Sequence, residues 1–148
     1  MFRKELKTEI DIEAPRERVW EILTDLGSYS KWNPMIRKAK GKIRVGARLK
    51  VRFEPEGSKG HTFRPKLTVV EPDRELRWLG WPRFPKVFDM DHYWLLEPRG
   101  AGRTHLEHGS MMYGLVVPFL PSKVVNSTRE PFEAMNRAMK ERAEGARG

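Results

Sequence analysis

Six alternating segments separated by turns, and then one helical pattern, constrain the fold of this sequence most. Between Ala39 and Met112 apolar residues recur at every second position, and turn residues such as Val45-Gly46, Pro72-Asp73 and Pro98 to Gly102 separate most of the segments. Turns this short join antiparallel strands, because parallel strands need a longer crossover. The pattern therefore predicts a meandering antiparallel sheet.

In each predicted strand we assign every second residue to the face that turns toward the core. The assignment follows the apolar positions and leaves most charged side chains on the opposite face. The inward residues are Ala39, Gly41 and Ile43; Leu49, Val51 and Phe53; Phe63, Leu67 and Val69; Leu76 and Trp78; Phe88, Met90, His92, Trp94 and Leu96; and Thr104, Leu106, His108, Ser110 and Met112.

Helical patterns lie at both ends of this strand region. Lys4 to Glu13 alternates as a first strand, a short helix follows Pro15 and stops at Gly27, and one more short helical turn comes next. From Ser122 a C-terminal helix is predicted, in which Pro131 should cause a kink or break because proline has no N–H to donate. Together the patterns predict an α+β fold with helices packed on one side of a sheet. The apolar stripe of the C-terminal helix is Val124, Val125, Thr128, Phe132, Met135 and Met139.

The length and composition indicate one globular domain, which we expect to span residues 1–148. The chain has a net charge of +9, which suits an anionic partner, and no cysteine, which excludes disulfides and thiolate metal sites. It begins without the apolar stretch of a secretory signal and has no apolar run of transmembrane length. We therefore expect a cytoplasmic protein, with peripheral contact at a membrane as an open alternative.

Several stretches in a fixed order resemble the START-like superfamily, also called SRPBCC or Bet v 1-like, and within it the polyketide cyclase/dehydratase and lipid-transport group. The resemblance implies a helix-grip fold, in which a curved antiparallel sheet of about seven strands surrounds a long C-terminal helix, with two short helices after the first strand. It also implies a cavity between sheet and helix. The stretches are Ile12 to Trp20, Tyr29 to Pro34, Val45 to Leu49, Leu76 to Trp78, Gly114 to Pro118 and Phe132 to Asn136.

Two histidines are the clearest polar feature of the predicted inner face. If the loop from Pro98 to Gly102 closes symmetrically, His92 lies directly opposite His108, and the pairs around it are Leu96 with Thr104, Trp94 with Leu106 and Met90 with Ser110. The two imidazoles could hydrogen-bond each other or a buried water, could orient a ligand, or could include a general base. Two histidines without a third ligand leave a metal coordination sphere half empty, so we expect neither a metal nor a cofactor.

Large aromatic and methionine side chains share this inner face, and they fit either a solid core or an adaptable pocket for an apolar molecule. Under the pocket interpretation, the C-terminal helix and the inward strand residues form its two walls. The predicted ligand-binding residues are Phe53, Phe63, Trp78, Met90, His92, Trp94, Leu106, His108, Ser110, Met112, Thr128, Phe132 and Met135.

Two surface features have alternative interpretations. The segment from Arg37 to Arg52 has eight basic residues and no acid. This basic hairpin is either a solvated face or a contact for an anionic membrane, and we expect no nucleic acid there because outward aromatics for base stacking are missing. The apolar connector Gly114 to Pro121 is either buried against the end of the sheet or a pocket lip that touches a membrane, in which Trp81 and Phe84 could take part.

These features favour a protein that binds or carries a hydrophobic small molecule such as a lipid, a quinone or a polyketide-like aromatic. The alternative is an enzyme of the cyclase or dehydratase type, in which His108 or His92 is the general base. The sequence has no nucleophile elbow, P-loop, zinc-protease motif or dinucleotide-binding fingerprint. The commonest hydrolase, kinase, metalloprotease and dehydrogenase mechanisms therefore have no support.

Overall fold

The computed structural model describes residues 3–80 and 89–145 and confirms the predicted α+β class. A five-stranded antiparallel sheet has the order β1-β8-β7-β6-β5, and a second sheet has the order β2-β3-β4. The strands are β1 Arg3–Ile12, β2 Ile36–Lys40, β3 Lys50–Phe53, β4 His61–Phe63, β5 Lys66–Glu71, β6 Glu75–Gly80, β7 Asp89–Pro98 and β8 Thr104–Tyr113. The helices are α1 Arg16–Thr24, α2 Tyr29–Trp32, α3 Ser122–Asn126 and α4 Arg129–Gly145, with short 3₁₀ turns at Leu26–Ser28 and Val117–Phe119.

The long helix α4 covers one face of the larger sheet and packs mainly on β1. Its buried residues recur at intervals of three and four, which places them along one stripe of the helix. None of the helices in the described part of the chain is long and apolar enough to cross a membrane. The buried residues of α4 are Phe132, Met135, Asn136, Met139 and Ala143.

The strand predicted around Phe63 to Val69 is two strands instead of one, which gives eight strands in place of about seven. The chain leaves β4 at Phe63 and starts β5 at Lys66, and Pro65 between them cannot donate a ladder hydrogen bond. A bulge at Thr68 then changes the parity of β5. As a result Val70, and not the predicted Val69, packs against the core.

The basic hairpin is shorter than predicted. β2 ends at Lys40 and β3 begins at Lys50, so Ile43 and Gly41 lie in a loop and not on a strand. Gly41 is exposed and has φ +141°, a conformation that favours glycine, and a side chain there would collide with Leu49.

The break predicted at Pro131 does not occur there: α4 runs through Pro131, and the helical segment is interrupted upstream instead. α3 ends at Asn126 and α4 begins at Arg129, so Pro131 lies in the first turn of α4. Proline is tolerated in a first turn, where its missing N–H would have no helical partner. The break therefore falls at Ser127 and Thr128.

The last hairpin, β7 and β8, has the predicted faces but not the predicted register. Pro98 pairs with Thr104, and the direct partners are Leu96 with Leu106, Trp94 with His108, His92 with Ser110 and Met90 with Met112. The register is displaced by two residues, and a displacement by two keeps each side chain on its face. His92 and His108 are thus diagonal neighbours and not direct partners. Phe88, Trp81 and Phe84 lie outside the described residues.

Candidate functional site

The two histidines meet on the inner face although their backbones are not paired. Their Nε2 atoms lie 2.6 Å apart, so one nitrogen must donate to the other. His108 is buried, with 1% of its surface exposed, and His92 is half-buried. Of the interpretations left open by the sequence, mutual hydrogen bonding is the one that the structure contains.

A chain of hydrogen bonds determines which nitrogen carries which proton. Thr8 Oγ1 donates to the backbone oxygen of His108 at 2.5 Å and accepts from Asn136 Nδ2 at 2.8 Å. Asn136 Oδ1 is then the acceptor that faces His108 Nδ1 at 2.7 Å. A neutral His108 with its proton on Nδ1 has a free lone pair on Nε2, so His92 donates to it.

Burial keeps both imidazoles neutral. It lowers the pKa of His108 to about 4, although the hydrogen bond to Asn136 acts in the opposite direction. Burial, and then the nearby His108, hold the pKa of His92 well below its usual value. Two cations this close in an apolar environment would be strongly unfavourable.

Aromatic rings hold the two imidazoles from both sides. His108 lies between Trp94, at 5.0 Å between ring centroids, and Phe132, at 4.5 Å, and all three rings are nearly parallel. His92 stacks on the same two rings, at 4.3 Å from Trp94 and 4.8 Å from Phe132. Trp78 meets Trp94 edge to face at 4.8 Å. The inner face is therefore an aromatic wall with one polar pair in it.

A narrow cleft opens beside this wall, between the sheet, α4 and the first two helices. Its enclosed centre has about 10 Å³, which is room for about one water molecule. Three of the predicted ligand-binding residues line it, namely Trp94, His108 and Met135. The other lining residues, which the site prediction missed, are Leu23, Tyr29, Trp32, Asn33, Asn136 and Met139.

The remaining predicted site residues do not line this cleft. Trp78, Leu106, Met112 and Phe132 are buried in the core, and Phe53, Phe63 and Met90 pack partly against it. Thr128 lies at the break between α3 and α4, where its hydroxyl donates to the carbonyl oxygen of Val125.

Ser110 is the unusual polar residue of this wall. Its side chain is buried, with 1% exposed, and lies across from His92 on β7. Among the described residues, Ser110 Oγ and Asp91 Oδ1 are the buried side-chain polar atoms without a hydrogen-bond partner. An unsatisfied buried hydroxyl costs about 1–3 kcal/mol, so its retention next to the histidines needs a reason.

A group with metal-ligand chemistry lies elsewhere, on the opposite face of the sheet. Glu9, His105 and Glu107 place ligand atoms within 4.8 Å of one another in the described part of the chain. His105 already contacts Asp11 through Nδ1 at 2.6 Å and Glu9 through Nε2 at 2.9 Å, and these hydrogen bonds raise its pKa. The group is a cross-strand ion-pair cluster and is separate from the cleft.

An antiparallel sheet that holds a C-terminal helix against an aromatic inner face defines the helix-grip class. The family model described as polyketide cyclase / dehydrase and lipid transport matches residues 3–145. The chain therefore belongs to this family, as its resemblance to the START-like superfamily implied.

Solved structures with the same fold include proteins with different functions. A START superfamily protein from Mycobacterium smegmatis has 18% identity and a TM-score of 0.76, covering 95% of this chain and 97% of that one. The Zhui aromatase/cyclase from Streptomyces sp. R1128 has 21% identity and a TM-score of 0.68, covering 97% and 94%. Norcoclaurine synthase from Thalictrum flavum, in complex with dopamine and hydroxybenzaldehyde, has 14% identity and a TM-score of 0.73, covering 99% and 90%. A search of curated proteins found no significant match. At these identities the likeness concerns the fold alone.

Proposed function

We propose that this protein binds a hydrophobic small molecule, such as a lipid, a quinone or a polyketide-like aromatic, between the sheet and α4. The observation that carries the proposal is the buried, unpaired hydroxyl of Ser110 beside the two histidines. A ligand oxygen there would satisfy Ser110, while the aromatic wall would bury the apolar body of the ligand. Family membership supports the same ligand class.

The narrow cleft implies that the site opens when the ligand enters. Met135 and Met139 line it, and methionine side chains change conformation at little cost. The break at Ser127 and Thr128 leaves α3 joined to α4 without a continuous helix, which provides a hinge near the aromatic wall. We therefore place ligand entry on the α4 side of the wall.

A charge on the inner face of α4 tests the site. The parent protein should bind an environment-sensitive apolar dye saturably, and a long-chain fatty acid or a quinone should displace the dye. Phe132→Asp should weaken dye binding at least about 10-fold, because it puts a carboxylate into an apolar contact. Arg137→Asp is the matched control, since it adds the same carboxylate on the exposed side of the helix.

Circular dichroism and urea unfolding would establish that both variants are folded. Phe132→Leu should retain dye binding, because it keeps the site apolar. Unchanged dye affinity in a folded Phe132→Asp protein would show that the site is elsewhere.

A cyclase or dehydratase activity is the second candidate, and the hydrogen-bond chain from Thr8 through Asn136 to His108 favours it. These hydrogen bonds fix the proton on Nδ1 and make Nε2 of His108 the proton acceptor, as a general base requires, although in this structure Nε2 accepts from His92. The lowered pKa of His108 counts against it, since a base with a pKa of about 4 is weak at neutral pH. We therefore rank binding first.

Replacing His108 with Gln separates the two candidates. If a polyketide-like substrate is turned over with His108 as base, His108→Gln should lower the rate about 100-fold while dye affinity stays within a few-fold. His92→Gln should show the same pattern if His92 is the base. Equal turnover in the parent and in both variants would exclude an imidazole base from the reaction.

The outer face of β2 and β3 is a second contact that we propose, with an anionic membrane as the partner. Lys40 lies directly opposite Lys50, and Lys38 lies opposite Arg52. Like charges in direct cross-strand pairs are destabilising, and an anionic partner would relieve their repulsion. This contact is electrostatic and should weaken as salt is added.

A further inference from the structure

We infer that the connector between β8 and α4 is an apolar wedge that inserts into an anionic lipid bilayer. The wedge consists of residues 114–126. It is a different site from both the cleft and the basic face of β2 and β3, and it does not depend on the ligand of the cleft.

Exposed large apolar side chains are concentrated in this segment. In the described part of the chain there are four such residues, and three belong to the wedge: Leu115 at 68% exposure, Phe119 at 82% and Val124 at 50%. The fourth, Val45, lies in the loop between β2 and β3. Single exposed apolar side chains are common, but three large ones on one short segment indicate a contact with an apolar partner.

The same segment is firmly attached to the domain, so its exposed residues are held outward. Val117 is buried, with 1% exposed, and Leu120 and Val125 pack against the core. Lys4 Nζ donates to the backbone oxygen of Leu120 at 2.8 Å, which fastens the connector to β1. Inward and outward residues therefore alternate along one fixed segment.

The charge around the wedge selects an anionic bilayer as the occupant. No acidic residue occurs between Glu107 and Glu130, and Lys123 is exposed on the wedge itself. Arg3, Lys4 and Arg129 lie at its base, since Arg3 pairs with Tyr113 and Arg129 donates to the backbone of Lys7 on β1.

Acids beside the wedge already have partners, and Glu5, opposite Met111, accepts a hydrogen bond from the Tyr93 hydroxyl at 2.8 Å. Glu130 forms an ion pair with Arg137. Asp89 lies opposite Tyr113 and also interacts with another group. A second copy of the chain would bring another net charge of +9 to this basic site, so self-association through the wedge is disfavoured.

Vesicle partitioning tests the wedge with a matched control. Vesicles of phosphatidylcholine with about one-third phosphatidylglycerol should bind the parent protein at physiological salt. The double change Leu115→Gln and Phe119→Gln should weaken partitioning by on the order of 10-fold or more, because two large side chains no longer enter the apolar phase. Ala101→Gln, at an exposed position in the turn between β7 and β8 and thus at the opposite end of β8 from the wedge, should leave partitioning unchanged.

A fluorophore at the tip gives a second, independent measurement. Because the chain has no cysteine, Phe119→Cys introduces a single thiol that can carry an environment-sensitive label. The label should shift to the blue when vesicles are added, whereas the same label at Arg137→Cys, on the exposed side of α4, should not.

Two other outcomes would contradict insertion of the wedge into a bilayer. If partitioning is lost only in the double variant Lys40→Gln and Lys50→Gln, while the variant Leu115→Gln with Phe119→Gln binds vesicles as well as the parent, then the basic face of β2 and β3 alone docks on the membrane. Concentration-dependent association without lipid that disappears in the wedge variant would mean that a second copy covers the segment. Dye binding in solution would remain a separate readout of the cleft, so the failure of one proposal leaves the other measurable.

Discussion

Lowering the pH from 8 to 5 should destabilise this protein through its buried histidines. His108 has a pKa of about 4 in the folded state, compared with about 6.5 when exposed, and the pKa of His92 is lowered in the same direction. The unfolded chain then binds protons that the folded chain excludes. The stabilisation is therefore fully present above pH 7 and is lost as the pH falls through 6.5 toward 4, by about 2 kcal/mol at pH 5 from His108 alone.

Urea unfolding at several pH values measures this loss, with the double variant His92→Gln and His108→Gln as the reference. The difference in unfolding free energy between parent and variant isolates the pair from other groups. His105 is one such group, because its raised pKa contributes stability that is present at low pH and lost as the pH rises. The parent should lose more stability than the variant between pH 8 and 5. Parallel curves would contradict neutral, buried imidazoles.

The pattern of alternation predicted the faces of the last hairpin correctly, but it could not determine the register. Any shift in the pairing of β7 with β8 by an even number of residues keeps His92, Trp94 and His108 on the inner face, so alternation fits several registers equally well. The register depends on the loop, where Gly100 and Gly102 both adopt positive φ and Arg99 N donates to Arg103 O. This local geometry leaves no signal in the apolar pattern.

Bulges and breaks account for the other differences. The bulge at Thr68 exchanges the roles of Val69 and Val70, two identical side chains that composition cannot distinguish. Pro131 predicted a break at that residue, but α4 begins at Arg129, so Pro131 falls in the first turn, where proline is tolerated. The apolar pattern alone does not show where α4 begins.

The cleft was only partly predictable because two of its walls come from distant parts of the chain. Tyr29, Trp32 and Asn33 follow the first strand, and no polar spacing there indicates a site. Asn136 did carry a signal. It lies one turn after Phe132 and three residues before Met139, and an amide inside a buried helical stripe needs a hydrogen-bond partner across the core.

That partner makes Asn136 a residue whose loss should strongly reduce stability. Asn136→Ala removes the acceptor of the His108 Nδ1–H and the donor to Thr8 Oγ1, which keeps its own hydrogen bond to the backbone of His108. Each lost buried hydrogen bond costs about 1–3 kcal/mol. We expect a total loss of about 2–5 kcal/mol in urea unfolding. Arg137→Ala, at the adjacent exposed position, should change stability by less than about 0.5 kcal/mol.

Asn136→Asp extends the test from stability to electrostatics. A carboxylate can still accept from His108 Nδ1–H, and its negative charge should raise the pKa of His108. The stability loss between pH 8 and 5 should then become smaller than in the parent, because the folded state can take up a proton. If Asn136→Ala costs no more than Arg137→Ala, and Asn136→Asp leaves the pH profile unchanged, the hydrogen bonds of Asn136 do not hold the histidine pair.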